Sequence, residues 1–272
     1  MGRAVTRRLL MMIGAGVLAL SVTAHAESCR VTWDSVGKDA EALVKAPFNM
    51  TGQGAVQTAV AGAAIGASMI WLDGPADRLV RENARAWQPA HKLASLTRWY
   101  GESGTHLLIV SAGLVGVVAA GGYFSDDDRM LDTAAIMGEA VVFSGIIGYA
   151  GKALFGRRRP YNDEGPHRFE WFVSPGNEPS VSFPSGHAST AFALAGAGAG
   201  RYPYWYVQIP AYVLATSAAL QRMDARKHWA SDVLAGGLLG YAVANFLVDR
   251  YDCGSAEPGG AATLSLSFSM AF

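Results

Sequence analysis

Three separated clusters in this 272-residue chain carry residues able to do chemistry: Lys152 with Arg159-Pro160, the run Pro184-Ser185-Gly186-His187, and Arg222 followed by His228 and Asp232. Together they supply two histidines, one carboxylate and three fixed cations, the parts needed to hold a phosphate group and move it through a covalent intermediate. Phosphoryl transfer spreads negative charge over three equatorial oxygens, so its catalysis rests on positioned cations and backbone N–H donors. Lys152, Arg159 and Arg222 are the candidate cations. Arginine suits bidentate contact with phosphate oxygens better than lysine does. Pro160 biases Arg159 away from helical geometry, which predicts a guanidinium presented from an extended segment. The neighbouring Arg157 and Arg158 read as solvated charges near a helix end.

The Pro-Ser-Gly turn stands against the start of an apolar helix. Helix N-termini present unpaired N–H groups and partial positive charge, so Ser185, Gly186 and His187 are predicted to lie where an anion binds. His187 is then placed to protonate a leaving oxygen. The alternative is a serine helix cap with an incidental histidine. His228 and Asp232, four residues apart at a helix start, share one face. A carboxylate there can hold one imidazole nitrogen and leave the other free to attack phosphorus. A metal site is the rival reading, but one His and one Asp are few ligands, and three cations beside them repel a divalent ion.

The spacing of the three clusters resembles the three-part signature of the type 2 phosphatidic acid phosphatase family, whose wider group includes bacterial class A acid phosphatases and vanadium haloperoxidases. The resemblance implies an all-α fold built as a six-helix bundle. It also implies His228 as nucleophile, Asp232 as its orienting partner, His187 as general acid, and Lys152, Arg159, Ser185, Gly186 and Arg222 as phosphate ligands. No metal or other cofactor is expected, and vanadate is expected to inhibit. One departure is Gln221, which stands where the family usually has serine. The implied function is hydrolysis of a phosphate monoester or diphosphate through a phosphohistidine, on a lipid phosphate of the cell envelope. Vanadate-dependent halide oxidation, a broad-specificity soluble acid phosphatase and a non-catalytic helical membrane protein are the alternatives.

The elements that must position these residues are legible as apolar stretches at 54–72, 106–123, 133–150, 188–200, 204–220 and 233–248, which read as six helices. The charged segment 73–105 reads as one or two short surface helices. Residues 151–186, rich in Pro, Gly and charge, read as an ordered functional loop. Aromatics in these two segments, among them Trp87, Trp99, Tyr100, Tyr161, Phe169, Trp171 and Phe172, form an apolar mouth, pack the core or anchor the chain at an interface.

With 51% hydrophobic residues the chain supports one large core. Its formal net charge of zero excludes the broad basic surface that nucleic-acid binding requires. Arg3, Arg7 and Arg8 precede an apolar run and Ala24-His25-Ala26, so residues 1–26 read as an export signal, or alternatively as an uncleaved anchor helix. The helical domain is placed at 27–253, with the motif core at 152–232, and a small-residue tail at 254–272. Leu264, Leu266, Phe268, Met270 and Phe272 alternate there as in one amphipathic strand. Cys29 and Cys253 are expected to pair in an oxidising compartment, the alternative being two unrelated thiols. The expected setting is an exported envelope protein, multi-pass or membrane-associated, with a lipid or small-molecule phosphate as substrate and the membrane as partner.

Overall fold

The computed structural model describes residues 30–252, apart from 175 and 177. The expected export signal, Cys29, Cys253 and the expected strand at 264–272 lie outside the described residues. Within them the chain is helical, and the one β feature is an isolated antiparallel bridge between Arg157 and Phe169.

The six expected helices are present as α2 (Gly52–Trp71), α6 (Gly104–Ser125), α7 (Asp128–Phe155), α8 (Gly186–Arg201), α9 (Trp205–Asp224) and α10 (Ala230–Arg250). Their starts follow capping chemistry. Thr51, Ser103 and Asp127 each accept a backbone N–H from inside the first turn, at 3.1 Å in all three cases. Asp126, in the left-handed region, ends α6, and Asp127 caps α7 next to it, so the two longest helices form an antiparallel hairpin.

Among the described residues, four further α-helices accompany the six. Helix α1 (Trp33–Lys45) precedes the bundle, and α3 (Asp73–Arg81), α4 (Gln88–Ala94) and α5 (Arg98–Glu102) fill the segment expected to hold one or two surface helices. Helix α1 escapes an apolar-run search because its apolar residues are interspersed with charged ones. It is fastened by Ala42 and Leu43 packing on the core and by polar contacts: Arg250 donates to Asp39, and the Tyr251 hydroxyl donates to Ser35 at 2.8 Å. The short helices α3 to α5 are not merely surface elements. Trp87, between α3 and α4, is 1% exposed and donates to Asp224 at 2.9 Å, so it belongs to the core and not to a substrate mouth.

Helices α8 and α10 form the most buried pair, flanked by α7 and α9. Their backbones meet at glycine: a Cβ built at Gly240 falls 2.0 Å from the Ser189 carbonyl oxygen, and one at Gly236 falls 2.3 Å from that of Ser185. This approach fixes the start of α8, with Ser185, against the start of α10, with Asp232. The outer faces are apolar, with Leu108, Ile109 and Val117 on α6, Val142 and Ile146 on α7, and Ile209 and Leu214 on α9 all exposed. Helices α2, α6, α7 and α10 are each long and apolar enough to cross a bilayer. The exposed apolar surface on α6 and α7 suits lipid rather than water.

The close α8–α10 contact yields a stability test. Gly240→Val is expected to lower the unfolding temperature in detergent, since overpacking costs about 1–3 kcal/mol or more where backbone is the obstacle. Gly138→Ala, with nothing within 4 Å of the new Cβ, is expected to leave it unchanged or slightly raised.

Candidate active site

All eight sequence-predicted site residues converge at one end of the bundle, where α7, α9 and α2 end and α8 and α10 begin. Lys152 lies in the last turn of α7 and donates to the Val181 carbonyl at 2.8 Å. Its stem lies beside the Pro-Ser-Gly turn, 4.0 Å from the Cβ position of Gly186. Ser185 caps α8, and its own N–H donates to the Asp232 carbonyl at 3.0 Å, so the turn is bolted to α10. Arg222 ends α9 and donates to the Gly101 carbonyl of α5.

Gln221, the departure from the family pattern, has a local reason. A Cβ at Gly101 would lie 1.7 Å from the Gln221 side-chain oxygen, so glycine in α5 makes the room that the longer side chain occupies.

The segment after α7 explains three consecutive arginines. Gly156 ends the helix in the left-handed region, and the chain then runs extended, with Arg159 at φ −77° and ψ 152° as Pro160 predicts. Extended backbone sends alternate side chains to opposite sides. Arg157 and Arg159 therefore both turn inward, while Arg158 pairs outward with Glu170 at 2.7 Å.

Arg157 is the main correction to the sequence reading. It is fully buried, donating to Asp232 at 2.6 Å, to Asp73 at 2.6 Å and to the Ser231 hydroxyl at 2.7 Å. Burial works against its charge, but the carboxylates of Asp232 and Asp73 outweigh that and hold it more firmly protonated than a free arginine. Asp73, at the start of α3, also accepts the Ser231 N–H at 2.8 Å and the Ser231 hydroxyl at 2.6 Å. A reading that followed the alternation from Gly156 to Pro160 would have found Arg157. Asp73 carries no comparable signal.

His228 is buried just before α10, and its Nδ1 lies 2.6 Å from the Ser182 carbonyl oxygen. A carbonyl can only accept, so Nδ1 carries the proton and Nε2 is left with a free electron pair. The expected direct grip of Asp232 on the ring is replaced by an indirect one. The nearest Asp232 oxygen stands 3.8 Å from Nδ1 and accepts instead from the Ser182 hydroxyl and, at 2.8 Å, from the Trp229 N–H. Asp232 thus fixes Ser182, and Ser182 fixes the imidazole.

Burial, with Lys152, Arg159 and Arg222 close by, holds the His228 pKa well below the usual 6.5, against the opposing pull of Asp232. His187 Nε2 and Arg222 Nε are buried without a hydrogen-bond partner among the described residues. Arg159 Nε faces Glu178 at 3.3 Å without hydrogen-bond alignment. Tyr100 meets the His187 ring edge-on, with centroids 5.9 Å apart, and burial pushes its phenol up to about 12. The site is therefore a pocket of desolvated cations and donors beside one neutral, unprotonated imidazole nitrogen, an arrangement suited to an oxyanion. Among the described residues, no three His, Cys, Asp or Glu side chains gather as metal ligands would.

Comparison with known proteins agrees with this class of site. The sequence pattern of the PAP2 superfamily matches residues 133–252, which contain all three clusters. The lipid A 1-phosphatase of Rhizobium johnstonii is 30% identical over 184 residues, covering 62% of this chain and 69% of the relative. The lipid A 1-phosphatase of Porphyromonas gingivalis is 35% identical over 97 residues, covering 35% of this chain but only 18% of that longer protein. No solved structure matches. The chain belongs to the PAP2 superfamily, and its all-α architecture is that family's fold.

Two outcomes follow from the buried charges. Arg157→Met leaves two buried carboxylates unpaired and is expected to destabilise the protein by about 3–5 kcal/mol, measured by thermal unfolding in detergent. His228 gives a pH dependence. Its unfolded form takes up a proton near pH 6.5 and its folded form does not, so its contribution to stability is present above that pH and lost below it, by up to about 1.4 kcal/mol per pH unit. The His228→Gln variant is expected to lose this component of the acid-side slope.

Proposed function

We propose that the protein is a metal-independent phosphatase, a phosphoric monoester hydrolase that removes phosphate from a membrane lipid through a phosphohistidine at His228. The observation that carries this reading is the tautomer. Nδ1 keeps its proton and donates it in a hydrogen bond to the Ser182 carbonyl, which leaves Nε2 as a nucleophile beside Lys152, Arg159 and Arg222. These cations, with the N–H groups at the start of α8, take the three non-bridging oxygens and stabilise the charge that develops on them.

Nε2 of His228 attacks phosphorus as the ester oxygen leaves, and His187 gives that oxygen its proton; burial and the Arg222 charge push the His187 pKa down to about 3, so the acid form is reached once the substrate's phosphate neutralises the surrounding cations. Water then attacks the phosphohistidine, His187 takes the water's proton back, and inorganic phosphate is released with His228 restored. Cations do here what a divalent ion does elsewhere, and their charge repels one.

The substrate class rests on the exposed apolar helices and on the relatives' names. A bundle whose outer faces suit lipid, with its phosphate site at one end, meets a lipid whose phosphate lies at the bilayer surface and whose chains lie in the bilayer. Lipid A, a phosphorylated sugar lipid, is the first candidate, and the cell envelope is the corresponding location.

The experiment is hydrolysis by the detergent-purified protein of lipid A, phosphatidate, phosphatidylglycerol phosphate, a prenyl diphosphate and an aryl phosphate, with and without EDTA. Turnover is expected to survive EDTA and to be inhibited by vanadate. His228→Ala is expected to lower kcat by about 10⁴-fold or more. His187→Ala is expected to lose about 10²–10⁴-fold on lipid esters while sparing the aryl phosphate, whose leaving group needs no proton. Acid-quenched label on a residue other than His228, or activity lost to EDTA and restored by zinc or magnesium, would overturn the mechanism.

A further inference from the structure

The loop after the three arginines returns to the end of α7 as a strap. Its backbone is pinned there: Arg158 N–H donates to Arg168 O at 2.9 Å, Glu170 N–H to Gly156 O at 2.9 Å, and Phe172 N–H to Leu154 O at 3.1 Å. Gly156 admits it, since a Cβ at that position would fall 1.7 Å from the Glu170 carbonyl oxygen. The strap carries aromatic side chains outward. Trp171 is 59% exposed and Phe172 is 82% exposed, and Phe172 holds a φ of +59°, a conformation costly for a bulky side chain. Trp171 packs partly within the chain, but Phe172 buries too little of its ring there to offset its conformation.

Two continuities say what covers it. On one side, the Phe172 N–H is bonded to the Leu154 carbonyl at the end of α7, a helix whose exposed apolar side chains include Val142, Ile146, Ile147, Tyr149 and Leu154. On the other, Trp171 packs on Phe155 with centroids 5.6 Å apart, and Phe155 packs edge-on against Phe183 at 5.1 Å. Phe183 stands between Ser182, which holds His228, and the Pro184-Ser185 turn. Three rings in contact, Trp171, Phe155 and Phe183, thus lead from the strap to the wall of the phosphate site, and the exposed Phe172 follows Trp171 in the chain.

We propose that this line, Phe172–Trp171–Phe155–Phe183, is the seat of the hydrocarbon tail nearest the phosphate, so that a lipid reaches the site sideways along α7 with its tail on the strap. The inference rests on the lipid phosphatase reading and adds a binding site for the substrate's apolar part. A tail laid on these rings buries aromatic surface that is otherwise exposed, whereas a water-soluble ester has no tail to lay there and a short-chained one covers less of it.

The test compares Trp171→Ser/Phe172→Ser with the wild-type protein in one mixed-micelle system, using dioleoyl phosphatidate and dihexanoyl phosphatidate. Both residues are exposed, so the variant is expected to fold as the wild type does, checked by its unfolding temperature. The variant is expected to lose about 10-fold or more in kcat/KM on the dioleoyl lipid, and less than about two-fold on the dihexanoyl one. Equal losses on both, as a general micelle anchor would give, or no loss on either, overturn the tail seat while leaving the phosphatase intact. Wild-type protein inactive on both lipids overturns the phosphatase reading itself, and the tail seat with it.

Discussion

The buried cation of Arg157 sits between the carboxylates of Asp73 and Asp232, and the geometry of the site depends on it. All three side chains are withdrawn from water, where isolated charges are too costly to keep. The contacts join three parts of the chain that are far apart in sequence: the start of α3, the extended run after α7 and the first turn of α10. Ser231 closes the unit by donating to Asp73 and accepting from Arg157. Because Arg157 occupies one oxygen of Asp232, the other is directed to Ser182 and the Trp229 N–H. The orientation of His228 therefore comes from a chain of fixed bonds, and little reorganisation is needed when charge develops in the reaction.

This arrangement separates two kinds of cation. Arg157 is neutralised within the protein and serves geometry. Among the described residues, Lys152, Arg159 and Arg222 form no ion pair with a buried carboxylate, although Glu178 approaches Arg159 from an exposed position. A phosphate group supplies the missing counter-charge. Burial first, and then the same desolvated cations, keep His228 neutral, because a protonated ring would add one more positive charge to the cluster.

How much of this was legible in the sequence follows from the range over which each signal acts. The six long helices were readable because apolar runs report burial or lipid contact locally, and the clusters were readable because their spacing is local as well. Arg159 was placed in an extended segment by the proline that follows it. Helix α1 was not readable, since Asp39, Arg250 and Tyr251 hold it through contacts more than 200 residues apart in sequence. Arg157 was misread as solvated for a related reason: beside two other arginines it has the composition of a surface, and only its partners Asp73 and Asp232, 84 and 75 residues away, show that it is interior. The grip of Asp232 on His228 was read as direct from a four-residue spacing, whereas a backbone carbonyl, invisible to residue type, intervenes.

Gly156 joins the two halves of the functional end. Its left-handed conformation stops α7 one turn after Lys152, so the lysine stays at the end of the bundle. The extended run that begins there sets the alternation that sends Arg157 to the ion pair and Arg159 to the phosphate site. Its lack of a side chain lets the aromatic strap close over the helix end, and its carbonyl accepts the strap's Glu170 N–H. Any side chain at this position would strike the strap backbone and strain the turn together. The spacing between the phosphate cradle and the proposed tail seat is thus set by backbone, and a lipid's phosphate and its nearest hydrocarbon chain are held apart by a comparably fixed glycerol or sugar linkage.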